Sequence, residues 1–531
     1  MGREFESRLL AHMLQRDLSA ELQQAEHEQI WTMLNAVKYM FRHVLLRDAA
    51  YEMQLRTRLR DLHYRAAVAG EALYAEVLPV YFGALAYHYE TAYRFGRAEA
   101  HASAFDFLCR AGEQALATFE HQVAADYFSR ALALTPVHDD DARFRLLLAR
   151  EAAYNMQGSR EAQVQDLAQL AGLSRRLGVA QQAAVALRRA GHAEVTGDYD
   201  AAALLAETAV QLGQQSGDLA VVASGHQTLG IASWRRGRLA DAEAHFQRAV
   251  ELAQLSGNHR HVAKCLHGLG NVAFYQWDLA AAKAYYLRAL AIRRDIGDRV
   301  GEGDSLNNHG LVQWHRGDYA AAKADLVQVQ AIYREVGDRH GEGMSLSNLG
   351  HVIVNQGDYA AARDYFEQSL AIRREVGDRY GEAISLNELG AVALAQGQLL
   401  LAETCYLQAL TIRQELNQPH HLVEDWAGLA RLQLALGDRE SAGRYARQVL
   451  AYLETNPGLN GAIEPMRAFH FTWHALAALG EREAAAAVLR AAVRILQAYL
   501  DKNPEPALQA LYLRQPHHWA LWTAWQEGSA R

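Results

Sequence analysis

The chain has 531 residues, more than a single compact core organises, so its length indicates several domains or an elongated array. Its 53 Lys and Arg residues against 61 Asp and Glu give a net charge of −8, which disfavours non-specific binding to nucleic acid or to an anionic membrane. Only 8 prolines and 3 cysteines occur, which favours helices and argues against a disulfide framework or a zinc cluster. Without a long apolar run or a signal-peptide pattern, the sequence predicts a cytoplasmic protein.

Residues 1–80 form the first predicted segment. Residues 39–51, followed by Arg58, His63 and Ala66, resemble the helical junction that comes after the ATPase module in large bacterial signal-transduction ATPases and cyclase-linked regulators, where tetratricopeptide repeats follow. The chain has no Gly-x-x-x-x-Gly-Lys-Ser/Thr phosphate loop, so the nucleotide site of that family is not transferred to any residue here. The basic group in this segment is interpreted as a solvated helix face, with contact to an upstream ATPase module as the alternative: Arg56, Arg58, Arg60, His63 and Arg65.

A 40-residue repeat dominates residues 181–455, and more divergent helical hairpins precede it over residues 81–180. Glycines recur at this spacing, and a small-residue series follows them: Gly230, Gly270, Gly310, Gly350 and Gly390, then Ala242, Ala282, Ala322, Ala362, Ala402 and Ala442. A second glycine series stands between the two predicted helices of each repeat: Gly237, Gly317, Gly357, Gly397 and Gly437. Asp often follows these glycines, which predicts a left-handed glycine ending one helix and an N-capping Asp starting the next.

Each repeat is therefore predicted to be a helical hairpin. The glycine inside the first helix costs roughly 1 kcal/mol relative to Ala, and close approach of the alanine series on the second helix explains it. Such hairpins cannot bury their apolar faces alone and must stack. Trp277, His309 and Ala430 depart from the pattern, which leaves the local geometry open at those three positions.

Residues 349–370 show the pattern in full and resemble tetratricopeptide repeats, in the 40-residue variant of the Leu-Gly-Asn-repeat cell-polarity adaptors and of many bacterial signalling proteins. The resemblance implies an all-α fold, a right-handed superhelix or α-solenoid, with an N-terminal helical junction and C-terminal capping helices. Prolines return over residues 456–531 and the register is lost. Trp519, Trp522 and Trp525 share one helix face there, which predicts a helix that seals the last hairpin.

No catalytic, cofactor or metal-binding residues are predicted. The histidine pairs at residues 259–261, 420–421 and 517–518 lack a second set of ligands at zinc spacing. Cys265 and Cys405 fall inside predicted helices, where a small buried hydrophobe is the usual role. The sequence therefore predicts a protein that is not an enzyme.

The remaining candidate is a binding surface. If the first helices of the hairpins line the concave side, polar and aromatic residues at matching register positions form a groove, in which amides hold a peptide backbone and aromatics anchor it. The predicted groove residues are Gln227, Arg235, His267, Asn271, Tyr275, Asn307, His315, His351, Asn355 and Asn387. Trp234, Phe274 and Trp314 also recur in register and are interpreted as core between repeats.

These features predict a scaffold or sensor arm of a bacterial signalling regulator that binds a protein or peptide in its concave groove. Two alternatives remain open at this point. One is a stand-alone adaptor or peptide-pheromone receptor of the same fold. The other is a regulatory subunit that contacts a cyclase or ATPase through its N-terminal helices.

Overall fold

The computed structural model describes residues 4–35, 38–41, 44–416, 419–459 and 462–529. Over these ranges the fold is α-helical apart from one small sheet, so the all-α solenoid predicted from the repeats is confirmed. The chain divides into two compact units, Met1–Val221 and Val222–Arg531. In the described part of the chain, no helix is both long and apolar enough to cross a membrane.

The first unit begins with a three-stranded antiparallel sheet in the order β1-β3-β2. Its elements are β1 (Glu4–Glu6), α1 (Ser7–Leu14), α2 (Ser19–His27), β2 (Trp31–Met33) and β3 (Lys38–Phe41). The predicted junction is thus not wholly helical. Aromatic side chains, which favour strands, explain the difference, because the Phe5 ring lies 5.2 Å from that of Trp31 and 5.8 Å from that of Tyr39.

The rest of the first unit is a succession of helices, which from Arg56 onward pack each on the next. They are α3 (Val44–Glu52), α4 (Arg56–Leu73), α5 (Phe82–Arg94), α6 (His101–Ala117), α7 (His121–Leu134), α8 (Asp140–Gln157), α9 (Arg160–Leu177), α10 (Val179–Val195) and α11 (Tyr199–Ser216), with short 3₁₀ turns at Ala75–Tyr81 and Ala98–Ala100. In the basic group on α4, His63 is buried instead of solvated. Its ring nitrogens lie 2.9 Å from the Tyr51 hydroxyl and 2.8 Å from Nδ1 of His88.

Over its described residues the second unit contains six consecutive helical hairpins, the first of which begins at Leu219 just before the unit boundary, followed by four further helices. The hairpin helices are α12 (Leu219–Arg235), α13 (Leu239–Leu255), α14 (His259–Tyr275), α15 (Leu279–Asp295), α16 (Arg299–His315), α17 (Tyr319–Val336), α18 (Arg339–Asn355), α19 (Tyr359–Glu375), α20 (Arg379–Ala395), α21 (Leu399–Glu415), α22 (Pro419–Leu436) and α23 (Arg439–Thr455). The helices beyond them are α24 (Pro465–Leu479), α25 (Arg482–Lys502), α26 (Pro506–Leu513) and α27 (Pro516–Ser529).

The caps between the helices follow the predicted chemistry. Gly317 and Gly357 have φ values of +79° and +84°, and the carboxylates of Asp318 and Asp358 accept hydrogen bonds from the backbone N–H three residues on. Where Trp277 replaces the glycine, the backbone still adopts φ 62°, an uncommon conformation for a bulky residue. The fold therefore holds the left-handed turn there at the expense of local strain.

Most glycines inside the first helices make room for a ring, and Gly310 makes room for the Leu326 side chain; none of them faces the alanine series that the sequence suggested. A Cβ added at Gly350 would lie 2.5 Å from the Phe366 ring, and one at Gly270 would lie 2.5 Å from the Tyr286 ring. Both rings lie four residues after the alanine of the same repeat. The glycine is needed because a large side chain of the second helix packs directly against the first-helix backbone.

The first unit repeats this packing, which allows a matched test. A Cβ at Gly112 would lie 2.7 Å from the Phe128 ring, whereas a Cβ at Gly191, inside α10, meets no atom within 4 Å. Gly112→Ala should lower the free energy of unfolding by about 1–3 kcal/mol through overpacking. Gly191→Ala should raise it by about 0.5–1 kcal/mol through helix propensity. Chemical denaturation measures both, and equal effects of the two changes would contradict the packing described.

Candidate functional site

The candidate site lies on the first helices of the six hairpins, α12, α14, α16, α18, α20 and α22. We call the surface that carries the predicted groove residues the first-helix face. Its amides hydrogen-bond between neighbouring hairpins: Asn308 Nδ2 donates to Asn271 Oδ1 at 3.0 Å, and Asn348 Nδ2 donates to Asn307 Oδ1 at 2.9 Å. These amides therefore fix the spacing of the hairpins, which was not part of the role predicted for them.

Residues 462–529, here called the C-terminal segment, fold back along this face. Asn503 Nδ2 donates to the Trp277 carbonyl at 3.0 Å, and the Trp277 ring lies 5.8 Å from that of Tyr499 and 6.4 Å from that of Tyr512. Trp277 lies in the second hairpin, four hairpins before the last one. The C-terminal segment thus reaches far beyond the last hairpin, which the sequence expected it only to seal.

A second contact follows one repeat later. Leu511 packs on Gly317, where an added Cβ would lie 2.8 Å from the Leu511 Cβ. A side chain at position 317 would collide with the C-terminal segment as well as strain the positive φ. The C-terminal segment therefore packs against a large side chain at position 277 and directly against the backbone at position 317.

A buried ion pair joins the same two surfaces. Arg467, at the start of the C-terminal segment, donates to both carboxylate oxygens of Glu388 at 2.5 and 2.6 Å and to Asn387 Oδ1 at 2.9 Å. All three residues are buried. The fork of the guanidinium matches the carboxylate, and burial strengthens the attraction while making an unpaired partner costly.

Other carboxylates position the beginning of the segment. Glu424 Oε1 on α22 accepts the backbone N–H groups of Ile463 and Glu464 at 3.0 and 2.8 Å, just before α24. Although burial opposes its charge, the nearby His421, the Arg413 charge and other contacts lower the pKa of Glu424 to about 2. It thus supplies an ionised acceptor for two backbone N–H groups at the entry to α24.

Two further acids have pKa values that are raised instead of lowered. Burial raises the pKa of Glu464 to about 8 and that of Asp425 to about 7, even though cations lie near both. Asp425 accepts from Asn387 Nδ2 at 2.6 Å and from Arg413 at 2.9 Å. Where the first-helix face meets the C-terminal segment, the ionised Glu424 therefore lies beside two acids, Asp425 and Glu464, that are partly or mostly protonated at neutral pH.

The predicted groove residues fall into two groups. Those near the C-terminal segment or covered by neighbouring side chains are Asn307, His315, His351, Asn355 and Asn387. Those on the first two hairpins keep more exposure, in part or fully: Gln227, Arg235, His267, Asn271 and Tyr275. In the first group, the His315 ring lies 5.7 Å from that of Trp277, and His351 Nδ1 lies 3.6 Å from the Glu464 carboxylate.

The more exposed group centres on an aromatic pair, in which Trp234 is half-buried and packs on the core. The Trp234 ring lies 5.5 Å from that of Tyr275, and the Arg235 guanidinium lies 4.4 Å from the Trp234 centroid. Tyr275 is 59% exposed. Trp314, by contrast, is 6% exposed, as expected of a core residue between repeats.

Sequence reasoning missed the residues that seat the C-terminal segment, Arg467 and Glu388 above all. One signal was present: Glu388 stands at the register position that carries Asn308 and Asn348 in the two preceding repeats. A carboxylate at a buried amide position needs a cation. The sequence gives no means of finding that cation, because Arg467 lies 79 residues further along the chain.

The unit also contains half-buried or buried histidines that stay neutral. Burial is the main cause that lowers the pKa of His315 and His267 to about 3, and that of His470 and His518 to about 4. His518 Nδ1 lies 2.9 Å from the Tyr512 carbonyl. Each of these rings has a lower pKa when folded than the value near 6.5 of an unfolded chain, so the unfolded state binds more protons below that pH.

Removing the buried cation should loosen the C-terminal segment. Arg467→Met leaves Glu388 buried without its partner, so we expect a loss of about 3–5 kcal/mol in the free energy of unfolding and faster proteolysis of residues 462–529. The double change Arg467→Met with Glu388→Met should recover most of that loss. The matched control is Arg363→Met, which breaks the exposed pair with Glu367 at 2.7 Å and should cost below about 1 kcal/mol. Similar losses for the two arginine variants would contradict this account.

Acid should destabilise the second unit. Between pH 6.5 and about 4.5 the four histidines favour the folded state less as pH falls, whereas Glu464 and Asp425, protonated when folded, act in the opposite direction. The histidines outnumber the two acids, so the free energy of unfolding should fall by roughly 1–3 kcal/mol per pH unit on acidification. His518→Asn should reduce that slope, and urea denaturation across this range measures it. A flat profile would show that these rings are not kept neutral.

A family model described as tetratricopeptide repeat matches residues 218–295, 302–375 and 381–455. A search of curated proteins found no match. Among solved structures, a Rap protein complexed with Competence and Sporulation Factor is similar at 14% identity and a TM-score of 0.53, covering 69% of this chain and 100% of that one.

Two weaker structural similarities involve signalling proteins. One is a Signal Transduction ATPase with Numerous Domains with a tetratricopeptide repeat sensor from Pyrococcus horikoshii, at 16% identity and a TM-score of 0.45; it covers 86% of this chain, which spans 62% of that structure. The other is the apo form of the quorum sensor NprR from B. thuringiensis, at 14% identity, a TM-score of 0.46 and coverage of 68% and 98%. The family match and the hairpin geometry together identify residues 218–455 as an array of tetratricopeptide repeats with a 40-residue period.

Proposed function

We propose that the chain is a protein- or peptide-binding arm of a bacterial, cytoplasmic signalling regulator. Binding, not catalysis, is its function, and the partner contacts the exposed part of the first-helix face on α12 and α14. The observation that carries this proposal is the group of Trp234, Arg235 and Tyr275, which lies on that face outside the area occupied by the C-terminal segment.

The chemistry of this group suits a polypeptide. Trp, Tyr and Arg are the residue types that most often dominate protein interfaces, because they offer large, rigid contact areas with a polar end. Gln227 makes no side-chain hydrogen bond within the described residues, so its amide is available to a peptide backbone. The Rap structure contains a bound factor, and its similarity to this chain supports the fold alone.

Energetics favour the exposed part over the covered part. Detaching the C-terminal segment would expose Tyr499 and Tyr512, at roughly 1.5–3 kcal/mol each, and would separate the buried Arg467 from its partner, at about 3–5 kcal/mol. The sum approaches the entire stability of a typical domain, about 5–15 kcal/mol. A partner therefore gains more by binding beside the C-terminal segment than by displacing it.

Site-specific photo-crosslinking tests the location. With Tyr275→p-benzoylphenylalanine in the full chain, irradiation of cells of the source organism should give a discrete covalent adduct, because this side chain lies at the centre of the proposed surface. Trp234→Ala in the same chain should lower the adduct yield at least about fivefold by removing a hot-spot residue.

The matched control carries the same photoreactive residue at Leu287, which is 40% exposed on α15, a second helix. That position should give no discrete adduct. Equal adducts at positions 275 and 287, or an adduct at 287 alone, would place the partner elsewhere and overturn the proposal.

A further inference from the structure

The C-terminal segment and the first-helix face enclose a cavity of about 420 Å³, within the range of small-molecule sites. Its floor comes from α18, α20 and α22, and its other side comes from α24 and α27. Ala395 and Ala435 line it and are exposed, so the cavity opens to solvent between them. Most of its wall is apolar: Val354, Tyr359, Ala391, Val392, Leu394, Leu399, Met466 and Phe471.

One cation in this cavity lacks a counter-ion. Arg431 lines the wall and is half-buried, and within the described residues it has no carboxylate or hydrogen-bond partner. Burial lowers the pKa of His470 and His474, and the nearby charge of Arg431 lowers it further. An anion that binds beside this half-buried guanidinium would form a charge-assisted pair with it.

A second polar group points to the same occupant. Gln515 lines the cavity and is only 8% exposed, yet its Nε2 has no hydrogen-bond partner. A buried amide N–H₂ left without an acceptor destabilises the fold, because its lost hydration is not replaced by a hydrogen bond. Arg431 and Gln515 both supply donors, so the missing group is an acceptor, and the uncompensated charge of Arg431 makes it an anionic one.

The acids that line the cavity do not cancel this charge. Glu388 is neutralised by its two hydrogen bonds to Arg467. Glu464 lies in surroundings that raise its pKa to about 8, so it is mostly protonated at pH 7. The remaining polar wall consists of His351, His517, His518 and Asn355, of which the three rings have lowered pKa values and are neutral. The net charge facing the cavity is therefore that of Arg431.

We propose that this cavity binds a small amphiphilic carboxylate, with its carboxylate on Arg431 and Gln515 and its apolar body against the wall formed by α18 and α20. The carboxylate belongs either to a free organic acid or to the C-terminal residue of a short peptide, since both present the same group. The ligand contacts the first-helix face and the C-terminal segment together, so it holds the two surfaces in place. The inference does not rest on the proposed partner of the exposed surface.

Isothermal titration calorimetry on the full chain tests the proposal with 4-phenylbutyrate and with its neutral isostere, 4-phenylbutyramide. The acid should bind about tenfold or more tightly than the amide, because only the acid pairs with Arg431. A second pair of ligands is N-acetyl-Ala-Phe with a free C-terminal carboxylate and the same dipeptide as its C-terminal amide. If N-acetyl-Ala-Phe binds more tightly than 4-phenylbutyrate, the natural ligand is a peptide C-terminus; the reverse order indicates a free organic acid.

Variants of the cavity distinguish the contribution of its charge to ligand binding from that of its shape. Arg431→Gln should bring the acid-to-amide ratio close to one, and Gln515→Leu should weaken the acid severalfold. Ala391→Leu, which fills the cavity without altering charge, should weaken both ligands. The matched control, Arg490→Gln, changes an exposed arginine of α25 that does not line the cavity and should leave binding unchanged.

A saturating acid should also raise the melting temperature and slow proteolysis of residues 462–529, since it binds only the folded state. This readout remains valid where a variant is partly destabilised, because each variant is compared with and without ligand. Absence of saturable binding by both acids, or an acid-to-amide ratio that Arg431→Gln leaves unchanged, would overturn the proposal.

Discussion

A two-helix hairpin exposes apolar surface on both sides, and this constraint governs the second unit. Stacking covers the sides of the hairpins, but the first-helix face remains, and in this chain much of it is covered by the chain's own C-terminal segment. The contacts that fix this cover are specific: the Arg467 fork on Glu388, the Asn503 bond to the Trp277 carbonyl, and Leu511 on Gly317. The shape and charge of the remaining surface and of the cavity follow from them.

The fold was largely predictable because the repeat supplies the same evidence several times. The glycine ends, the Asp caps and the hairpin lengths of residues 181–455 each recur at the 40-residue spacing, and the described residues agree with them. Packing detail was less accessible. The alanine series and the large side chain four residues later both recur in the sequence, and only the structure shows that the large side chain, such as Phe366 on Gly350, fills the space.

The site was predicted less well, for a physical reason. Periodicity identifies positions that share a face, so the predicted residues do lie on the first helices. It cannot show which part of that face a non-repetitive segment covers, because Arg467 and Asn503 belong to no register. The small N-terminal sheet was not predicted either. Its strands have three or four residues, which is too short for an alternation of apolar and polar side chains to be recognised.

Departures from a repeat prove more informative than the repeat itself. His309 replaces a leucine, and Asp325 in the same hairpin supplies its partner, with Nδ1 2.7 Å from a carboxylate oxygen. Trp277 replaces a glycine at the cost of a left-handed backbone, and the C-terminal segment binds both its ring and its carbonyl. In each case an irregular residue is compensated by another irregular residue.

The compensation at Trp277 links the covered and exposed parts of the face. Tyr275, the last residue of α14, lies two residues before Trp277, so one short turn carries both an exposed aromatic and the anchor of the C-terminal segment. Strain in that turn persists because the Asn503 hydrogen bond and the rings of Tyr499 and Tyr512 hold it. Tyr275 is thus positioned by the segment that closes the neighbouring surface, and a segment without repeats determines where a repeat array presents an exposed aromatic side chain.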